Sequence, residues 1–190
     1  HTDATGAQVH EAADRGATMV THLFNAQRPL GHREPGVPGA ALVDERLSLG
    51  VIADLHHVSA DTLRLVFAAA SDRVVLVTDA LASTGMPTGT YELGGESIVV
   101  AEPGEPARRL DGTIAGSGLS LAAAVRNCTS VGIPLEAALR AATSNPARVL
   151  GRTDVGHIAP GTPADLVWLD DDLDVRRTWI GGVATDTPAA

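Results

Sequence analysis

This chain of 190 residues predicts an α/β fold built on a parallel sheet. Apolar runs and helical patterns alternate along it. The runs "LSLGVIAD" (47–54) and "RVVLVTD" (73–79) are almost wholly apolar rather than apolar at every second position. Strands of that kind are buried on both faces, as in a parallel sheet covered by helices.

The elements follow in order. Residues 4–15, "ATGAQVHEAADR", carry a helical pattern closed by Gly16 just past its last turn. "ATMVTHLFN" (17–25) reads as a short strand, and the loop "RPLGHREPGVPG" leads from there to one or two helical turns in "AALVDER". Residues 47–54 form the next strand. Ser59 caps a helix over 60–71 that buries Leu63, Val66 and Phe67. Residues 73–79 are the third strand. Residues 90–112 break the rhythm with hairpin strands around the turn signals "GG" and "PGEP". A helix over 119–131 ends at Gly132, Pro134 opens another, and "SNPARVLG" makes a further turn. Beyond Gly151 the texture changes to short strands and turns, a separate β element that ends in the polar tail "TDTPAA".

Composition excludes several roles. The formal charge is −9 and aromatic residues make up 3% of the chain, so nucleic acid and anionic membrane surfaces are poor partners. Cys128, the one cysteine, sits in an Ala/Val/Leu helical pattern and reads as core filler. No disulfide within the chain is available, which fits a reducing, cytoplasmic compartment. No apolar run approaches the ~20 residues of a membrane span. The chain starts at His1, without Met, in a polar turn, and is read as a fragment whose N-terminal part is missing.

The ends of the apolar runs carry the chemistry. The first reaches His22, the second runs through Asp54 into His56 and His57, and the third ends on Asp79. His1 stands just before a helix, where an upstream strand would end. In a parallel barrel, strand C-termini share the rim on which active sites are built. Imidazoles and a carboxylate gathered there suit a metal site with a proton-transferring acid. Taken singly, His22 reads equally well as a core histidine satisfied by a carbonyl, and Asp54 and Asp79 as caps of the following loops. An acid closing a buried strand requires a partner or a site that wants negative charge. Arg28 and Arg33, in the loop after His22, suit capture of phosphate or carboxylate, with a solvated arginine as the competing reading. "GTIAGSG" precedes a helix but lacks the lysine of a phosphate-binding P-loop.

"THLFNAQ", "HREPG", "LVTDA", "GTIAGS" and "ATSNPARVLG", in this order, resemble the N-acetylglucosamine-6-phosphate deacetylases of the amidohydrolase superfamily. The later "GHIAPGTPADLVWLD" resembles the superfamily's return to a small β-sandwich. The resemblance implies the C-terminal part of a (β/α)8 barrel over residues 1–152, with 90–112 as a hairpin insertion. Residues 153–190 would then be strands of the sandwich and the tail. It implies one or two divalent ions, zinc or iron, with His1 and His22 as ligands and a further glutamate ligand upstream of this chain. It makes Asp79 the catalytic acid–base, His57 the contact to the acetamido carbonyl, and Asn25 and Ala26 the residues that meet the phosphate. Arg33 would reach the phosphate of the neighbouring subunit in a homodimer. The substrate so implied is a phosphorylated amino sugar. One departure stands out: the family's Asp-Gly-x-His reads Asp54-Leu55-His56-His57 here, which puts the loop backbone and the choice of His57 over His56 in question.

Two other readings remain at this point. Another amidohydrolase, such as a deaminase or cyclic-amide hydrolase, shares the rim chemistry but not "HREPG". A non-catalytic sugar-phosphate-binding barrel keeps the frame without the metal.

Overall fold

Three short strands, β1 (Met19–Val20), β2 (Ser48–Val51) and β3 (Val74–Leu76), lie side by side in that order and run parallel. The structure is a computed structural model that describes residues 1–185. The register sets Val20 opposite Leu49, Leu49 opposite Val74, and Val51 opposite Leu76. Leu49, Val51 and Val74 are fully buried and Leu76 nearly so, which explains the lack of alternation in their sequence. Gly50 permits close strand approach, since a Cβ there would meet the Val20 carbonyl oxygen at 3.1 Å.

Helices cover this sheet. α1 (Gly6–Asp14) opens with a reciprocal cap between Thr5 and Gln8, and α2 (Gly36–Val43) follows the glycine-rich loop. α3 (Ala60–Ala70) is capped by Ser59 and turns Leu63, Val66, Phe67 and Ala70 inward. α4 (Leu121–Ser130) is capped by Ser120 and buries Ala124, Val125 and Cys128. α5 (Leu135–Ala142) packs on β3, and α6 (Ser144–Val149) closes the layer. Each large aliphatic side chain taken fully into this core contributes about 1.5–3 kcal/mol. Burial pushes the Cys128 thiol up to about 12, so it is core and not a nucleophile.

The expected strands are longer than the observed ones. Residues 17–25, 47–54 and 73–79 contain strands of only two, four and three residues, because the chain leaves the sheet in left-handed turns that apolar content does not reveal. The hairpin region is also larger than expected. β4 (Gly89–Leu93), β5 (Glu96–Val100), β6 (Ala107–Arg109) and β7 (Ile114–Gly116) form a four-stranded antiparallel sheet with its own small cluster of Ile98, Val100 and Ala107. β8 (Leu166–Leu169), β9 (Val175–Ile180) and β10 (Val183–Thr185) form a third sheet, also antiparallel, whose Trp168, Ile180 and Val183 are exposed. Of the expected polar tail, residues 186–190 lie outside the described residues. Among the described residues, no helix is long and apolar enough to cross a membrane.

One arginine ties the layers together. Arg73 Nη1 donates to the carbonyls of Ala41 (3.0 Å), Asp44 (2.9 Å) and Leu47 (2.7 Å), and Nη2 donates to that of Leu42. These are the orphan carbonyls at the end of α2 and the turn into β2. Replacing Arg73 by Met removes every one of these donors while keeping the aliphatic stem. The expected result is a loss on the order of 3 kcal/mol in denaturant unfolding. An unchanged midpoint would mean that water satisfies these carbonyls equally well.

Candidate functional site

The parallel register brings three chain segments to one edge of the sheet, and each leaves its strand in a left-handed turn. After β1, His22, Phe24 and Ala26 have φ of 31°, 76° and 50°. Leu23 N–H donates to the Gly50 carbonyl at 2.7 Å, so the turn stays anchored to β2. Gln27, which pattern reading does not single out, holds the turn closed. Its Oε1 accepts from Phe24 N–H at 3.0 Å and its Nε2 donates to the Thr21 carbonyl at 2.9 Å. Thr2 pairs with the same segment, donating to the Ala26 carbonyl at 3.0 Å and accepting from Arg28 N–H at 3.2 Å. That pairing sets His1 beside His22, the ring centroids 5.0 Å apart and edge to face. His22 is buried, and its Nδ1 has no hydrogen-bond partner among the described residues. An orphaned buried ring nitrogen next to a second imidazole fits the start of a metal donor set. No group of three candidate ligands occurs among the described residues.

After β2, Asp54 builds the second turn. Its Oδ1 accepts from the N–H groups of His56 (2.9 Å) and His57 (2.8 Å), and its Oδ2 meets His57 Nδ1 at 2.6 Å. Burial pushes the Asp54 carboxyl up, and these bonds outweigh it, so it lies below the ordinary carboxylate range. The His57 side chain is 6% exposed and held, whereas His56 is far more open and meets Glu105 at 3.2 Å. Asn127, on α4, donates to the Ala53 carbonyl at 2.9 Å and steadies the turn from the other side.

The third turn corrects the sequence picture of Asp79. Strand β3 stops at Leu76, and Asp79, at φ 53°, is exposed rather than buried. The desolvation cost therefore does not arise. Ser117 N–H donates to the Asp79 carbonyl at 2.9 Å, and the Ser117 hydroxyl donates to that of Thr78, so the residue just after β7 pins the turn. The Asp79 carboxylate has no partner among the described residues.

The loop "HREPG" divides its two charges between frame and solvent. Glu34 Oε1 accepts from Gly6 N–H at 2.7 Å and Gly36 N–H at 3.0 Å, joining the starts of α1 and α2 and holding the carboxyl below its usual range. Gly36, at φ 58°, leaves no room for a Cβ, which would lie 2.5 Å from the Arg28 carbonyl oxygen. Arg28 is spent on Asp3 through two contacts of 3.1 and 2.7 Å, so of the two loop arginines only Arg33 projects freely. Among the described residues, every other arginine contacts a carboxylate, a carbonyl or, for Arg177, the Trp179 ring. Asn25 is half-buried, with its amide on the Leu23 carbonyl at 3.2 Å, and Ala26 is exposed.

The amidohydrolase family pattern matches residues 1–185. The chain belongs to the amidohydrolase family. It is 42% identical over 184 residues to N-acetylgalactosamine-6-phosphate deacetylase of Escherichia coli O157:H7, covering 96% of this chain and 48% of that protein. It is 36% identical over 180 residues to N-acetylglucosamine-6-phosphate deacetylase of Lysinibacillus sphaericus, covering 94% and 46%. The crystal structure of N-acetyl-D-glucosamine-6-phosphate deacetylase from Mycobacterium smegmatis superposes with a TM-score of 0.91 at 40% identity, covering 97% of this chain and 50% of that one. A variant of the Mycobacterium smegmatis enzyme in complex with N-acetyl-D-glucosamine-6-phosphate gives 0.90. The chain spans about half the length of these relatives.

Gln27 offers a direct check on how this amidohydrolase holds its His22 turn. Gln27→Ala removes both backbone contacts of the side chain. The expected loss is about 2 kcal/mol, or roughly 4–8 °C in Tm. A thermal scan that superposes on the wild type would show that the turn holds without it.

Proposed function

We propose that the protein carrying this chain hydrolyses the acetamido group of N-acetylglucosamine 6-phosphate, giving glucosamine 6-phosphate and acetate. The observation that carries the reading is the buried, unpartnered Nδ1 of His22 beside the His1 ring. The relatives that share this architecture are named as deacetylases of N-acetyl amino-sugar phosphates.

In this reading the three parallel strands belong to a (β/α)8 barrel. Residues 1–152 supply its later part, with 90–112 as an insertion, and residues 153–190 supply strands of a small β-sandwich and the tail. The free outer edge of β1 and the exposed apolar side chains of the third sheet support that arrangement. The protein acts in the cytoplasm as a homodimer.

His1 and His22 hold a divalent ion, zinc or iron, as two of its ligands. When bound, such an ion polarises the amide carbonyl and lowers the pKa of water toward about 7. The exposed Asp79 takes a proton from the attacking water and delivers it to the leaving nitrogen, so the amide C–N bond breaks to free amine and acetate. His57 meets the acetamido oxygen through Nε2, where negative charge develops. Asn25 and Ala26, in the left-handed turn that follows β1, meet the phosphate. Arg33 supplies the cation that a chain of charge −9 otherwise spends elsewhere, reaching the phosphate of the neighbouring subunit.

A second reading exchanges the substrate for its galactosamine epimer, favoured by the 42% identity to the Escherichia coli enzyme named for that sugar. Parallel kcat/KM measurements on the two phosphorylated sugars decide between them.

Two variants of the full protein test the assignment. Asp79→Asn is expected to release acetate on the order of 10³-fold more slowly with metal content unchanged by elemental analysis. Turnover near that of the wild type would remove Asp79 from the mechanism. Arg33→Ala is expected to raise KM for the phosphorylated sugar at least tenfold with kcat nearly kept, since one charge-assisted contact contributes about 1.5–3 kcal/mol. An unchanged KM would place the phosphate elsewhere.

A further inference from the structure

Asp54 does more than cap a loop. Its carboxylate takes three hydrogen bonds within one turn, two from backbone N–H groups and one from the His57 ring. The side chains of Asp54 and His57 are 3% and 6% exposed, so water does not compete for the contact. An ionised carboxylate has no hydrogen to give. At 2.6 Å, therefore, the His57 Nδ1 carries the proton and Nε2 is the nitrogen left to the site.

We propose that Asp54 is a positioning residue for His57. It keeps the Nδ1 proton in place in both charge states of the ring. A second proton then enters only at Nε2, the atom that meets the acetamido oxygen, and the resulting imidazolium charge is paired with Asp54. The same carboxylate fixes the direction of the ring by holding the backbone that carries it. This deepens the proposed deacetylase reading and rests on the role of His57 in it.

Asp54→Asn separates positioning from folding. The side-chain oxygen of the introduced asparagine still accepts the two backbone N–H groups, but its amide now faces Nδ1 with a donor. The ring must answer with the opposite tautomer, protonated at Nε2 and neutral. In the full protein labelled with 15N-histidine, the His57 signals are identified by their loss in His57→Ala. At alkaline pH the wild type is expected to show an Nδ1–H ring and Asp54→Asn an Nε2–H ring. Acetate release should fall on the order of 10–100-fold in kcat with KM nearly unchanged. In a His57→Ala background the same change should cost nothing further, because Asp54 acts through a ring that is no longer there.

An Nε2–H ring in the wild type overturns the proposal. So does an Nδ1–H ring that survives in Asp54→Asn, or a loss that multiplies in the double variant as a structural defect would. If Asp54→Asn does not fold, Asp54→Ser takes its place, since its hydroxyl reaches the backbone but not the ring. A wild-type protein that releases no acetate defeats the deacetylase reading, while the tautomer measurement still decides what Asp54 does to His57.

Discussion

Three strands have to stop after two to four residues and turn left-handed at the same edge of the sheet, and the rest of the structure depends on that backbone constraint. Among the described residues, six positions other than glycine have positive φ, and five of them, His22, Phe24, Ala26, Leu55 and Asp79, follow β1, β2 and β3. Each costs about 1–2 kcal/mol relative to an ordinary conformation. Together they claim a sizeable part of the roughly 5–15 kcal/mol that separates a folded domain from its unfolded chain. Specific polar side chains offset them: Gln27 across the first turn, Asp54 within the second, and Ser117 and Thr84 behind the third. Strain concentrated at one edge and braced so completely is the kind of pattern on which the proposed site rests.

The bracing divides the polar groups into those already used and those left over. Asp44 is claimed by Arg46 and His10, Glu34 by two backbone N–H groups, and Asp3 by Arg28. Of the candidate site groups among the described residues, the Nδ1 of His22, the carboxylate of Asp79 and the guanidinium of Arg33 are left over. A buried nitrogen without a partner costs about 1–3 kcal/mol, so leaving one in a structure otherwise so well satisfied argues for a partner that the protein side chains do not supply. The proposed metal answers that cost at His22, whereas the exposed Arg33 bears no such cost and stays available to the proposed phosphate.

Much of this was legible in the sequence. The cap Ser59, the buried face of α3, the core placement of Cys128 and the alternation of strands with helices all follow from local spacing and propensity, and the structure carries each of them. The positions of His22, Asp54 and Asp79 at the strand ends were equally readable, because a parallel sheet sends every strand end to one side. The lengths of the strands were not readable. Apolar content continues through Leu23 and Phe24, and only the backbone shows that the sheet has ended by then. The same blindness made Asp79 look buried. Gln27 and Arg73 were missed for another reason: a single polar residue whose partners are carbonyls distant in sequence or hidden in a turn leaves no periodic trace.

Leu55 shows how far such a brace can carry a departure from pattern. The family resemblance puts glycine there, and a leucine would ordinarily push the turn toward another backbone. Leu55 nevertheless takes φ 65°, the region that glycine enters most freely, and its side chain packs against the main core. The bonds from His56 and His57 N–H to Asp54 leave the intervening peptide little choice, and the apolar contact of Leu55 offsets part of its strain. The turn is therefore set by the carboxylate and not by the residue inside it. The two histidines are also held unequally: the residue three positions after Asp54 receives both a backbone and a ring contact, while its neighbour receives one and swings toward Glu105. His57 is fixed because Asp54 holds it at two points, a distinction that replacing Gly by Leu leaves intact.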